Sequence, residues 1–232
     1  MQWLNKKYKR VYLRKQTRKS MRRIKKVYAF IDASNLFYGG EKSLGWKIDY
    51  KKLLRYLIEK YQVSEVLYFG GVEIHDFPYD YLNNKTVPIE QLKIHLANLI
   101  KTKANEANET ELALISNHIK TVHFYSKLQE FGYRLYLKPV KAYKQDNGTT
   151  KRKANCDVEM TFYLIKEKDK FYRAIILSGD GDFLPVLKYL RKKEKEIIIL
   201  ARGPRTASEI RKFAGSNFRD FVTLKKYLEF TE

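Results

Sequence analysis

Four aspartates stand where an apolar run breaks or a helical pattern begins. In "AIILSGDGDFLPVLKYL", residues 174–190, an apolar run ends in Asp180 and Asp182, separated only by Gly181. In "VYAFIDASN" the run over residues 27–31 breaks at Asp32, with Asn35 one turn further on. In "CDVEM" Asp157 opens a helical pattern, and Glu159 follows two positions later. Carboxylates brought together repel and raise one another's pKa unless a cation sits between them. A hard divalent ion such as Mg²⁺ or Mn²⁺ takes oxygen ligands and keeps several waters. One such water, its pKa lowered, can attack a phosphodiester while the metal offsets charge on the phosphate oxygens. The same acids also suit plain structural work. Asp157 and Asp182 fit helix N-caps, and Asp180 between two glycines fits a turn.

The elements around these acids decide whether they meet. Residues 27–31 and "SEVLYFGGVE" read as buried strands, as do "YRLYLKPV", "YRAIILS" and "EIIILA". Asp49 is an N-cap before "YKKLLRYLIEKY", with Leu53, Leu54, Leu57 and Ile58 at helical spacing. Residues 75–88 read as loop. Helices follow over about 89–103 and 108–131, the second closed by Gly132. "KAYKQDNGTTKRKAN" reads as a mobile basic loop. The helix after it carries Val158, Phe162 and Ile165 along one side. Another helix runs from Asp182 with Pro185 in its first turn, where proline is tolerated. "ASEIRKFAGSNF" is a helix and "DFVTLKKYL" a closing strand or short helix. Strands alternating with helices predict one three-layer α/β domain with a mainly parallel central sheet. In such a sheet ligands bind at the carboxyl ends of the strands, where Asp32 and the Asp180–Asp182 pair fall.

Charge gives the second line of inference. The 232 residues hold 47 Lys+Arg and 26 Asp+Glu, a net charge of +21. Residues 1–26 form a basic arm with 12 Lys/Arg, including Arg22, Arg23, Lys25 and Lys26, and no acid. The remainder, residues 27–232, carries 35 Lys/Arg against 26 acids, or +9. Like charges at that density keep an arm open until an anion orders it. Trp3, Tyr8 and Tyr12, interleaved with those charges, could stack on bases. Nucleic-acid phosphates are the leading partner, ahead of an anionic membrane surface, a solubilising tail or a transit peptide poor in Ser. Lys144, Lys151, Arg152 and Lys153, directly before Asp157, form a second basic patch for phosphate, or a solvated loop. Arg202 and Arg205 after the fifth strand leave the same two readings. Tyr38, just past Asp32, is placed to touch a base.

Other chemistries are demoted. The single Cys156 excludes a disulfide framework and a Cys-rich zinc site, and reads as a small packed hydrophobe. His75, His95, His118 and His123 are scattered, and His118 and His123 are badly spaced for a shared metal. The glycine pairs at 39–40 and 70–71 match no phosphate-loop motif. There is no apolar stretch near the length of a membrane span and no apolar signal region, so the reading is of a soluble, cytoplasmic protein. Nothing in the sequence fixes the oligomeric state, and a homodimer is compatible with it.

"FIDASN", "CDVEM" and "LSGDGDFLPVLKYLRKK…IIIL" together resemble the NYN domain, particularly its LabA-like (DUF88) branch, a relative of PIN-domain nucleases. "SGDGDF" before a helix is the most specific piece, and the likeness runs from about Val27 to the C-terminus. It implies a Rossmann-like PIN/NYN fold and metal-dependent ribonuclease chemistry on RNA. Position by position, it implies metal ligation by Asp32, Asp157, Asp180 and Asp182. Asn35 becomes a polar partner and Ser178 a supporting hydroxyl. The basic arm, the helical insertion near 89–131 and "KANCD" depart from the family pattern and leave the substrate open. A nucleic-acid-binding adaptor that does not cut, and a phosphatase or flap-type DNA nuclease using the same pocket, stand as rivals.

Overall fold

The computed structural model describes residues 26–37, 42–103, 108–145 and 148–231. Strand β1 (Lys26–Asp32) leads into a single helical turn, Ala33–Asn35. Helix α1 (Tyr50–Tyr61) starts where Asp49 accepts the Lys52 N–H at 2.9 Å, as the sequence predicts. Strand β2 (Val63–Val72) is followed by the loop and then by α2 (Ile89–Lys103) and α3 (Glu109–Phe131). Gly132, with φ 108°, ends α3 in the left-handed region that favours glycine. Strands β3 (Arg134–Pro139), β4 (Lys141–Lys144) and β5 (Thr150–Lys153) come next, then α4 (Asp157–Lys166) and β6 (Phe171–Leu177). The chain closes with α5 (Leu184–Lys192), β7 (Glu196–Ala201), α6 (Ser208–Ala214), β8 (Phe218–Asp220) and α7 (Lys225–Leu228).

Six strands form one sheet in the order β3-β2-β1-β6-β7-β8, and all its pairings are parallel. Alternation along β1 shows how it sits between two cores. Val27, Ala29 and Ile31 pack on one face with Leu53 and Leu57 of α1, Leu92 and Leu96 of α2, and Val122 of α3. Tyr28 and Phe30 pack on the other with Met160 and Leu164 of α4, Leu187 of α5 and Ile210 of α6. The expected three-layer α/β architecture is therefore present, with α2 and α3 both lying in the single connection between β2 and β3.

Three expectations change. The segment read as a mobile basic loop is a hairpin, with Lys141 opposite Lys153 and Lys144 opposite Thr150. Val158, Phe162 and Ile165 do share a side of α4, but that side faces solvent. Met160, Tyr163 and Leu164 form the buried face. A sixth strand, β8, takes residues 218–220, the first of which the sequence assigned to a helix.

Candidate metal centre

The chain runs from β1 outward through β2 and β3, then returns to the other side of β1 as β6. The crevice between β1 and β6 is the switch point at which open α/β sheets bind ligands. Ile31 lies opposite Leu177 in the register, so Asp32 and Ser178, one step further, come side by side. Asp32 is buried, at 7% exposure. Its Oδ1 accepts the Ser34 and Asn35 N–H groups at 3.0 and 3.1 Å, and its Oδ2 accepts the Ser178 hydroxyl at 3.1 Å. Burial pushes its pKa up from 3.8 to about 6, and the charge of Asp157 adds to the rise, against the lowering by these hydrogen bonds. Asn35 Oδ1 accepts the Gly179 N–H at 2.9 Å, which fixes the start of the Ser178–Asp182 loop.

Asp180 accepts the Asp182 N–H at 3.0 Å and caps a short 3₁₀ turn, Gly181–Phe183. Asp157 opens α4, and its N–H donates to Asn155 Oδ1 at 2.8 Å. Among the described residues, Asp157, Asp180 and Asp182 each offer an oxygen, all within 4.8 Å of one another. Asp32 is not in that group of three. It lines the same cleft as Asp157 and Asp180 and is coupled to Asp157 by charge. The donors are all carboxylate, Asp157 and Asp180 half-buried and Asp182 exposed. This set fits a hard divalent cation that retains water, and does not fit one selected by nitrogen or sulfur.

A cleft of about 1390 Å³ opens beside these acids. Asp32, Asn35, Asp157 and Asp180 line it, as do Lys47, Lys51, Arg152 and Arg205. Arg152 in β5 is paired with Glu73 at 2.9 Å. Lys144, Lys151 and Lys153 occupy strand positions in the same hairpin. Lys26 is exposed at the amino end of β1, the opposite end from the acids. Arg22, Arg23, Lys25, Tyr38 and the aromatics of the arm lie outside the described residues. Glu159 points away, its Oε1 accepting Lys138 Nζ at 2.8 Å. Cys156 is buried, which pushes its thiol up to about 12 and removes it as a nucleophile.

Sequence reasoning missed several neighbours. Glu209 of α6 reaches over Gly181, where an added Cβ would lie 2.5 Å from its Oε1. Lys47 and Lys51 arrive from the start of α1, and no motif marks them. His118 does not pair with His123. Its Nδ1 meets Nε2 of His75, while His95 Nε2 contacts the His75 carbonyl at 2.7 Å.

The NYN domain model matches residues 104–221, more than half of the chain and inclusive of Asp157, Asp180 and Asp182. The chain belongs to the NYN domain family. The matched segment contributes β3 and β6–β8 to the sheet, while β1 with Asp32 lies before it and pairs in its centre. The chain is similar to the low amplitude and bright protein LabA of Synechococcus elongatus, 22% identical over 205 residues, 88% of this chain and 87% of that protein. It is also similar to the crystal structure of a Vibrio parahaemolyticus protein of unknown function. That likeness has a TM-score of 0.57 and 17% identity, over 88% of this chain and 96% of the other. That likeness shows a shared fold. No helix among the described residues is long and apolar enough to cross a membrane.

Proposed function

We propose that this NYN protein is a metal-dependent endoribonuclease that hydrolyses RNA phosphodiesters at a site holding Mg²⁺ or Mn²⁺. The observation that carries the reading is the meeting of Asp157, Asp180 and Asp182 within 4.8 Å at the sheet's switch point, with Asp32 lining the same cleft and coupled to Asp157 by charge. A divalent ion held there supplies a water of lowered pKa and offsets charge on the phosphate. Asp157, Asp180 and Asp182 offer oxygens to the ion, and Asp32 adds buried negative charge coupled to Asp157. Ser178 and Asn35 hold the strand ends in place through Asp32 Oδ2 and the Gly179 N–H. Arg152, Arg205, Lys47 and Lys51 in the cleft, and the cationic residues 1–26, make sequence-independent phosphate contacts.

A second reading keeps the nucleic acid but not the cutting. The 12 Lys/Arg of residues 1–26 serve a binding adaptor equally well. Incubating labelled RNA and a matched DNA with Mn²⁺ or Mg²⁺, against EDTA and Asp180→Asn, separates the readings. The nuclease reading expects metal-dependent cutting of RNA that Asp180→Asn reduces at least about a hundredfold, the scale of losing one electrostatic group from a centre. Tight binding with no cutting under any of these conditions makes the protein an adaptor. Preferential cutting of the DNA moves it to the DNA-directed class.

A further inference from the structure

The cleft is far larger than a hydrated ion needs. At about 1390 Å³ it exceeds the roughly 300–1,000 Å³ of an ordinary small-molecule site. Besides the acids, Phe37, Tyr50, Phe124 and Phe230 line it and give it an aromatic wall, and exposed Lys47 and Lys51 line it with them. These rings come from four separate segments: the turn after β1, the start of α1, the middle of α3, and the stretch after α7. Phe37 is 41% exposed and Phe230 is 50% exposed, so neither is spent on the core.

The wall is held in place. Tyr50 meets Phe124 edge-on with centroids 5.0 Å apart, and the Tyr133 hydroxyl donates to the Tyr50 carbonyl at 2.7 Å. The Phe230 N–H donates to the Lys47 carbonyl at 2.9 Å, and the Asp49 N–H to the Leu228 carbonyl at 2.8 Å. The end of the chain is thereby laced to the start of α1, which sets Phe230 and Lys47 next to each other. Accessible aromatic faces interleaved with lysines are the means by which proteins grip unpaired bases and their phosphates.

We propose that this wall is a nucleobase subsite. Unpaired bases of a single-stranded nucleic acid stack on Phe37 and Phe230 and against the Tyr50–Phe124 pair. Lys47 and Lys51 take the flanking phosphates, and the connecting backbone crosses in front of Asp157 and Asp180. A duplex keeps its base faces stacked inside and cannot use the wall. The backbone path rests on the nuclease reading, whereas the stacking is measurable without any cleavage.

The test is fluorescence polarisation with the full chain in EDTA. The probes are labelled homopolymer 12-mers of RNA and of DNA, the same strands in duplex, and an abasic strand. The subsite expects single strands of either sugar to bind at least about tenfold tighter than duplex. Phe37→Ala and Phe230→Ala each weaken single-strand binding by about 5- to 150-fold, the range for losing one stacked base. Duplex and abasic-strand binding do not respond to them, and Phe37→Trp restores the single-strand affinity. Equal affinity for single strand and duplex, with both alanine variants indifferent, overturns the subsite. If wild type shows the single-strand preference but never cuts with metal added, the subsite stands and the nuclease reading falls. If wild type cuts but Phe37→Ala and Phe230→Ala bind and cut as it does, the subsite falls and the nuclease reading stands.

Discussion

The Ser178 hydroxyl donates to Asp32 Oδ2 at 3.1 Å, joining residues 146 apart in sequence. The bond sits where two parallel strands end side by side, and it is one of the few forces that favour charge on a carboxylate otherwise penalised by burial. The same oxygen of Ser178 accepts the Asp180 N–H at 3.3 Å, so one hydroxyl connects the acid after β1 to the loop after β6.

Ser178→Ala removes that donor and leaves Asp32 Oδ2 buried without it. Loss of a hydrogen bond to a buried charged group costs about 1–3 kcal/mol. Urea unfolding at pH 7.5 is expected to show a loss of that size. The deficit shrinks below pH 5, where Asp32 is protonated, because its pKa lies near 6.

Asp32→Asn is expected to act in the opposite direction. A carboxyl whose folded pKa is raised from 3.8 to about 6 contributes stability below pH 3.8 and loses it as pH rises through 6. At about 1.4 kcal/mol per pH unit, ionised Asp32 costs on the order of 3 kcal/mol at neutral pH in the metal-free protein. The amide keeps an oxygen for the Ser34 and Asn35 N–H groups without the charge. The metal-free variant is therefore expected to melt higher than wild type at pH 8 and close to it at pH 4, and to be defective in cleavage. Melting scans in EDTA at the two pH values check the stability half.

Two neighbouring glycines separate rigid from yielding surroundings. A Cβ on Gly179 lies 2.5 Å from Thr206 Oγ1 and 3.0 Å from the Thr206 Cα, so backbone must move. A Cβ on Gly181 meets first the end of the Glu209 side chain, which can swing away. Gly179→Ala is expected to cost about 1–3 kcal/mol, the range for overpacking, and Gly181→Ala less than about 1 kcal/mol. Denaturant midpoints of the two variants give the comparison directly.

The His75–His118 contact is expected to make the β2–α2 loop acid-sensitive. Burial lowers both pKa values, and for His75 the neighbouring His118 lowers it further. A histidine kept neutral in the fold contributes stability above its unfolded pKa near 6.5, and that contribution is lost as pH falls below it. Protection of residues 73–88 against hydrogen exchange, measured relative to the intrinsic rate at each pH, is expected to fall between pH 6.5 and 5.5 in wild type. His118→Gln, which removes one of the two charges, is expected to flatten that dependence.

Much of the fold was legible because its strongest signals are local. Apolar runs ending at Asp32 and Ser178 give buried parallel strands, and Asp49 and Gly132 cap the helices they were expected to cap. What was hidden depends on partners distant in sequence or on competing signals. The sequence between β4 and β5 contains an Asn-Gly pair, a hairpin signal, but the lysine-rich strands lack the apolar alternation that normally accompanies one. On α4, Val158, Phe162 and Ile165 repeat at core spacing, yet the face with Met160 and Leu164 is the one turned to the sheet. Spacing shows that a face exists without saying which side of the helix the sheet occupies. The aromatic wall of the cleft is assembled from four distant segments, and no single stretch announces it.

The strand order has a consequence for how the molecule is made. Strand β1, made before the other five strands of its sheet, lies in the middle of that sheet, and its second edge is filled only by Phe171–Leu177. Until then Val27–Ile31 offers an open apolar edge, which favours pairing with the wrong partner. Closing it demands a contact of high sequence separation, a slow step in folding. The acids obey the same timetable. A nascent chain that has not reached Asp180 already bears the cationic residues 1–26, but the carboxylates beside the cleft come together only once Asp157, Asp180 and Asp182 have all been made.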